Sequence, residues 1–232
     1  MAAVTEWGVT LVHAADSLKS DKEVVMAAVQ CMGCVLEDAN ASLKLDKDVV
    51  LAAVKQDVYA LWHADASLKA DKQFMLEAVQ QNGLALSNAA DYLKSDKEVV
   101  LTAVRQDGFA LEKAHASLQA DKEVVMAAVE EDGRAIMYAD DPLKEDMQVQ
   151  LVKARHGSAM EALELVQQLH KLPDWEEREE DLNLAVQLLA CFSASQTAPR
   201  ANKELHKLVE QMTKQAYRPG LKRDRNAFEA DF

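Results

Sequence analysis

Aromatic side chains are scarce in this chain: Phe, Trp and Tyr make up 5% of its 232 residues. Glycine and proline number only 7 and 4, too few for the turn density of an all-β fold, a collagen repeat or a low-complexity segment. Three cysteines cannot staple a small secreted domain. No apolar run approaches the roughly 18–20 residues that span a bilayer, and Met1 to Val4 lacks the basic start and apolar stretch of a secretory signal. The chain therefore reads as soluble and intracellular, in a compartment the sequence does not specify, with no membrane insertion. Positive charge is also short. The net charge is −13, and residues 1–150 carry 14 Lys+Arg against 26 Asp+Glu, whereas residues 151–232 are nearly balanced at 12 against 13. A surface of that sign repels phosphate and lacks the counterion-release term that drives nucleic-acid binding, so no nucleic-acid partner is expected. Protein partners with a basic or neutral surface fit better.

What the sequence does have is a repeat. Leu-Lys-Ser-Asp-Lys-Glu begins at Leu18 and returns, with small changes, at Leu43, Leu68, Leu93, Leu118 and Leu143, a period of 25 residues without insertions. Six aspartates fall in register at Asp21, Asp46, Asp71, Asp96, Asp121 and Asp146. Glycines follow at Gly8, Gly33, Gly83, Gly108 and Gly133, with Val58 the exception. Met1-Ala2-Ala3-Val4 matches Met26-Ala27-Ala28-Val29, so the sequence enters midway through a unit. That predicts a half-repeat serving as N-terminal cap, or a trimmed end.

Within one unit Asp96 is a helix N-cap, since a short acidic side chain accepts bonds from orphan amides. Helix A follows from Lys97 to about Val104. Gln106-Asp107-Gly108 interrupts it, the glycine supplying a left-handed residue and Asp107 capping the next segment. Helix B is expected from about Phe109 to Ala116. Val100, Leu101, Val104, Leu111, Ala114 and Leu118 recur at helical spacing and form the expected core, with Ala103 and Ala114 permitting close helix approach. Helices this short are marginal alone, so stacking must bury their apolar faces.

The resulting pattern, LKxDKEVVLxAVxxDGxALxxA, closely resembles the DUF4116 family of short helical repeats over residues 1 to about 150. The resemblance implies a fold and an interaction or scaffold role, without assigned catalytic residues. Val58 in place of the turn glycine and Met147 in place of lysine predict deviations in the third turn and the last unit.

Beyond the repeats, Ser158 to Leu172, Pro173 to Phe192 and Ala201 to Ala216 read as three helices, with a loop over Ser193 to Pro199. The expected architecture is all-α: an α-solenoid of about six 25-residue helix-pair repeats (1–150), a three-helix C-terminal cap (151–217) and an extended tail (218–232).

Sites are harder to find. Cys31-Met32-Gly33-Cys34 has the spacing of redox and zinc motifs, but no second pair completes a metal set, and the same positions hold Gln56 and Tyr59 elsewhere. The six histidines form no i, i+4 pair. The repeated acidic motif lacks the spread of oxygen ligands of a calcium loop. No phosphate loop or nucleophile elbow is present. No catalytic, cofactor-binding or metal residue is therefore assigned, no cofactor is expected, and the chain is read as a non-enzyme.

Variation across the units says more. One helix B position carries Val9, Cys34, Tyr59, Leu84, Phe109 and Arg134; three residues on come Val12, Glu37, Trp62, Ser87, Glu112 and Met137; then His13, Asp38, His63, Asn88, Lys113 and Tyr138. Changing chemistry along a fixed scaffold is expected where each unit meets a different feature of a long partner. Tyr59, Trp62, His63, Phe109 and Tyr138 are the candidate partner-binding residues, because aromatic groups dominate interface hot spots. The expected function is a non-catalytic protein-interaction scaffold or peripheral subunit of a larger assembly. The alternative is an enzyme or enzyme-regulatory subunit with a site at the repeat–cap junction, near His156, His170 and Trp175.

Overall fold

The computed structural model describes residues 8–193 and 199–216. The expected N-terminal half-repeat around Met1 to Val4, most of the loop before Pro199 and the tail 218–232 lie outside the described residues. Every element among those described is helical, and the contacts divide the chain into two compact units, Met1–Asp140 and Asp141–Phe232. The first is a stack of repeats, the all-α solenoid expected.

Each period opens with a ten-residue α-helix: Lys22–Cys31, Lys47–Gln56, Lys72–Gln81, Lys97–Gln106 and Lys122–Glu131. The registered aspartate begins it; Asp96 Oδ1, for example, accepts from the amides of Glu98 (3.1 Å) and Val99 (3.3 Å). The buried positions are Val99, Val100, Ala103 and Val104 and their counterparts, whereas the expected core residue Leu101 is only half-buried.

Helix B departs from expectation. Instead of one α-helix over Phe109 to Ala116, the chain forms a 3-10 helix, Gly108–Lys113, and then a single α-turn, Ala116–Gln119. Ala114 separates them in an extended conformation, φ −68° and ψ 152°. That break has a structural use: it turns the amide of His115 toward the preceding unit, where it donates to the carbonyl of Lys94 at 2.9 Å. The same rung recurs from Asn40 to Lys19, Asp65 to Lys44, Ala90 to Lys69 and Asp140 to Gln119. A continuous α-helix would direct these amides into its own ladder.

The fixed lysines of the motif also have places. The first caps the 3-10 helix seven residues upstream: Lys19, Lys44 and Lys69 donate to the carbonyls of Val12, Glu37 and Trp62 at 2.7–3.0 Å. The second bridges units: Lys22, Lys47, Lys72 and Lys97 each approach the next unit's capping aspartate (Asp46, Asp71, Asp96, Asp121) to 2.7 Å.

The glycine works by close approach rather than by a left-handed turn. A Cβ on Gly83 would lie 2.4 Å from the Ala103 carbonyl oxygen of the next unit, and one on Gly33 or Gly108 would lie 2.3 or 2.5 Å from that of Ala53 or Ala128. Val58 cannot make this approach. Accordingly, helix Lys72–Gln81 stands off from the 3-10 helix Val58–Trp62 and packs less closely on Lys47–Gln56 than the other neighbouring ten-residue helices pack on each other. In that helix Phe74 and Met75 replace the Val-Val pair of the other ten-residue helices, and both are fully buried.

The second unit holds Met147–Lys153, which carries the sixth capping aspartate, and three longer helices, Ala159–Lys171, Glu179–Ser193 and Pro199–Ala216. Leu163, Val166, Leu169, Leu182, Leu188, Leu205, Val209 and Met212 fill its core. A short 3-10 turn, Trp175–Glu177, precedes the second of these helices, which starts at Glu179 rather than at Pro173.

Candidate interaction face

The 3-10 helices determine what the first unit presents. With three residues per turn, side chains at i and i+3 eclipse, so Tyr59 and Trp62 stand one above the other. Asp57 begins this helix by accepting from the Tyr59 amide at 2.9 Å, and Lys69 closes it at the Trp62 carbonyl. Both ends of the segment that carries the two rings are thereby tied. Tyr59 is 58% exposed and Trp62 64%, with ring centroids 5.3 Å apart in an edge-to-face arrangement. Two large aromatics held this far into water contribute little to the core.

His63 follows the 3-10 helix and is half-buried; its Nε2 lies 3.9 Å from a carboxylate oxygen of Glu37 on the preceding unit. Tyr59, Trp62 and His63 therefore form one cluster. Phe109 and Tyr138 form another across the fifth and sixth 3-10 helices, with centroids 6.1 Å apart, and both are half-buried. The Arg134 guanidinium carbon sits 4.9 Å from the Phe109 ring centroid while Nη2 is held at 2.7 Å by Asp132. Leu84, Ser87 and Asn88 of the intervening unit separate the two clusters in register. Met137 of the variable row is 61% exposed.

Sequence reasoning missed Tyr92, which is as exposed as Tyr59 and whose hydroxyl donates to the Ala70 carbonyl of the preceding unit. A signal existed: its register holds serine in Ser17, Ser42, Ser67 and Ser117.

The other candidates fall elsewhere. Cys31 and Cys34 are both exposed, and among the described residues no group of three or more His, Cys, Asp or Glu is placed to hold a metal ion. His170 packs on Trp175 at 5.0 Å between ring centroids, and Trp175 is buried in the core of the second unit. An open acidic depression in that unit is lined by Gln148, Glu177, Arg178, Glu179, Glu180, Asp181 and Asn183, and by none of His156, His170 or Trp175. Arg178 joins Asp174 and Asp181 there at 3.2 Å each; its hydrogen bond holds the Asp174 carboxyl below its ordinary range. No described helix is long and apolar enough to cross a membrane.

The model of a domain of unknown function, DUF4116, matches in five overlapping stretches, residues 1–44, 28–69, 46–94, 71–119 and 96–144. The chain belongs to the DUF4116 family. The last three matches begin 25 residues apart and span 49 residues each, so one matched stretch covers about two of the three-segment periods described above, and successive matches advance by one. No curated protein and no solved structure matches the chain.

Proposed function

We propose that this DUF4116 protein is a non-catalytic interaction scaffold, or a peripheral subunit of a larger assembly, that engages a protein partner through the outward row of its 3-10 helices. The observation that carries this reading is the exposure of Tyr59 and Trp62 on a segment whose ends are both hydrogen-bonded. Rigid, exposed aromatics offer contact area at little cost in conformational entropy. Most fixed repeat positions are taken up by stacking: Leu43, Leu68, Leu93 and Leu118 are buried, Lys19, Lys44 and Lys69 cap, the aspartates cap and pair, and the second lysine bridges units. The variable row is left to meet a partner. An enzyme site near His156, His170 and Trp175 has weaker support, because Trp175 and His170 pack on each other at the core.

Affinity capture from the source organism with the tagged full chain tests the proposal when run beside a Tyr59→Ala/Trp62→Ala variant. A partner retained by the wild type and lost by the variant is expected. Recovery of the wild type only as a free monomer would overturn it.

A further inference from the structure

The face already shows, at one of its clusters, how it accommodates a cation. Arg134 lies over Phe109 with its guanidinium tied to Asp132, so ring and carboxylate hold the same group. Fifty residues earlier Tyr59 occupies the register of Phe109, but Leu84 stands where Arg134 would and Asn82 where Asp132 would. The third unit thus has the ring without the chain's own arginine, and it has a second ring, Trp62, of the type that binds cations best.

Acidic groups flank these rings. Glu37 occupies the register of Trp62 one unit earlier and its side chain is 70% exposed, with the His63 imidazole 3.9 Å away. Asp57 opens the same 3-10 helix. Lys44 and Lys69 point their ammonium groups at the carbonyls of Glu37 and Trp62. Residues 1–140 as a whole carry 13 Lys+Arg against 23 Asp+Glu.

Resting on the scaffold reading above, we propose that Tyr59, Trp62 and Glu37 form a receiving site for an arginine side chain of a basic segment in the partner protein. The guanidinium stacks on one ring of the edge-to-face pair, the kind of contact that Arg134 makes with Phe109, while the Glu37 carboxylate, 3.9 Å from the neighbouring His63, attracts its charge. Arginine suits the site better than lysine because its planar group stacks and hydrogen-bonds at once.

The test uses the isotope-labelled full chain and a short Gly/Ser peptide bearing one arginine, beside the same peptide with citrulline, which keeps the shape and removes the charge. The readout is the indole N–H resonance of Trp62, assigned by its loss in Trp62→Phe. Saturable shifts with the arginine peptide are expected, with binding at least about fivefold weaker for citrulline and for Trp62→Ala. Leu84→Arg should supply an internal guanidinium over Tyr59 and abolish the response while the circular dichroism stays unchanged. Equal binding of the two peptides, or no saturable shift at Trp62, overturns the arginine site. If partner capture still depends on Tyr59 and Trp62 in that case, the scaffold reading stands without it; if capture is independent of both residues, that reading fails separately.

Discussion

Lys97 Nζ lies 2.7 Å from Oδ2 of Asp121, the carboxylate whose other oxygen caps the helix Lys122–Glu131 through the Glu123 amide at 3.0 Å. One aspartate thus starts a helix and fastens it to the unit before. Asp121→Ala is expected to cost about 1–2 kcal/mol from the lost cap and pair together. Asp121→Asn, which keeps a capping oxygen, should cost clearly less, and Lys97→Ala less than Asp121→Ala. Urea unfolding of the three variants checks the order.

The same ladder sets a pH dependence. Burial pushes the Asp46 and Asp96 carboxyls up, but hydrogen bonds from Lys22 and Lys72 and from helix amides outweigh it and leave both low. Asp71 and Asp121 are lowered first by Lys47 and Lys97. A carboxylate lowered in the folded state stabilises above its unfolded value and loses that contribution as pH falls through its folded one. Lys22, Lys72 and Lys97 are raised, so their contribution is complete below the unfolded lysine value and disappears as pH rises through the folded one. The melting temperature should be nearly flat between about pH 5 and 9, fall below about pH 4, and fall again above about pH 10.5. A melting series in low salt measures this, and added salt should flatten it.

Gly83→Ala tests the close approach. Its methyl has no room against the Ala103 carbonyl, so a loss of about 1–3 kcal/mol is expected, against the gain that alanine usually brings over glycine. Val58→Gly restores the glycine of the other units yet should also destabilise, by about 1 kcal/mol, because it removes a half-buried valine side chain and frees the backbone. A more stable Val58→Gly protein would contradict this packing account.

Tyr59→Ala and Trp62→Ala should each leave stability within about 0.5 kcal/mol of wild type, as exposed positions do. Thermal denaturation checks this directly. A large loss at either residue would move it from the interaction face into the architecture.

The period, the capping role of the aspartate and the all-helical class were legible because each rests on a local pattern: six registered Asp residues, each followed by a helical apolar stretch. The 3-10 character of the second segment was not, since Gly108-Phe109-Ala110-Leu111-Glu112-Lys113 has the same apolar spacing an α-helix would have. The break at Ala114 serves a hydrogen bond to Lys94 in another unit, which a linear pattern does not reveal. A glycine after Asp107 suggests a conformational device, yet what requires glycine is a carbonyl twenty residues away in sequence. For the candidate face, sequence variation pointed to Tyr59 and Trp62, but only the coordinates separate their exposure from the partial burial of Phe109 and Tyr138.

The stand-off at Val58 has a consequence for how the stack comes apart. In a linear array each unit is stabilised by its neighbours, and opening begins where one interface is weakest. The Val58–Phe74 junction keeps its backbone rung and its Lys47–Asp71 pair but lacks the glycine-to-carbonyl contact made at its neighbours, so it is the natural seam between two cooperative blocks. Amide hydrogens of Lys47–Gln56 and of Lys97–Gln106 would then exchange on two different timescales, and the exposed aromatic pair would ride on the edge of the earlier block.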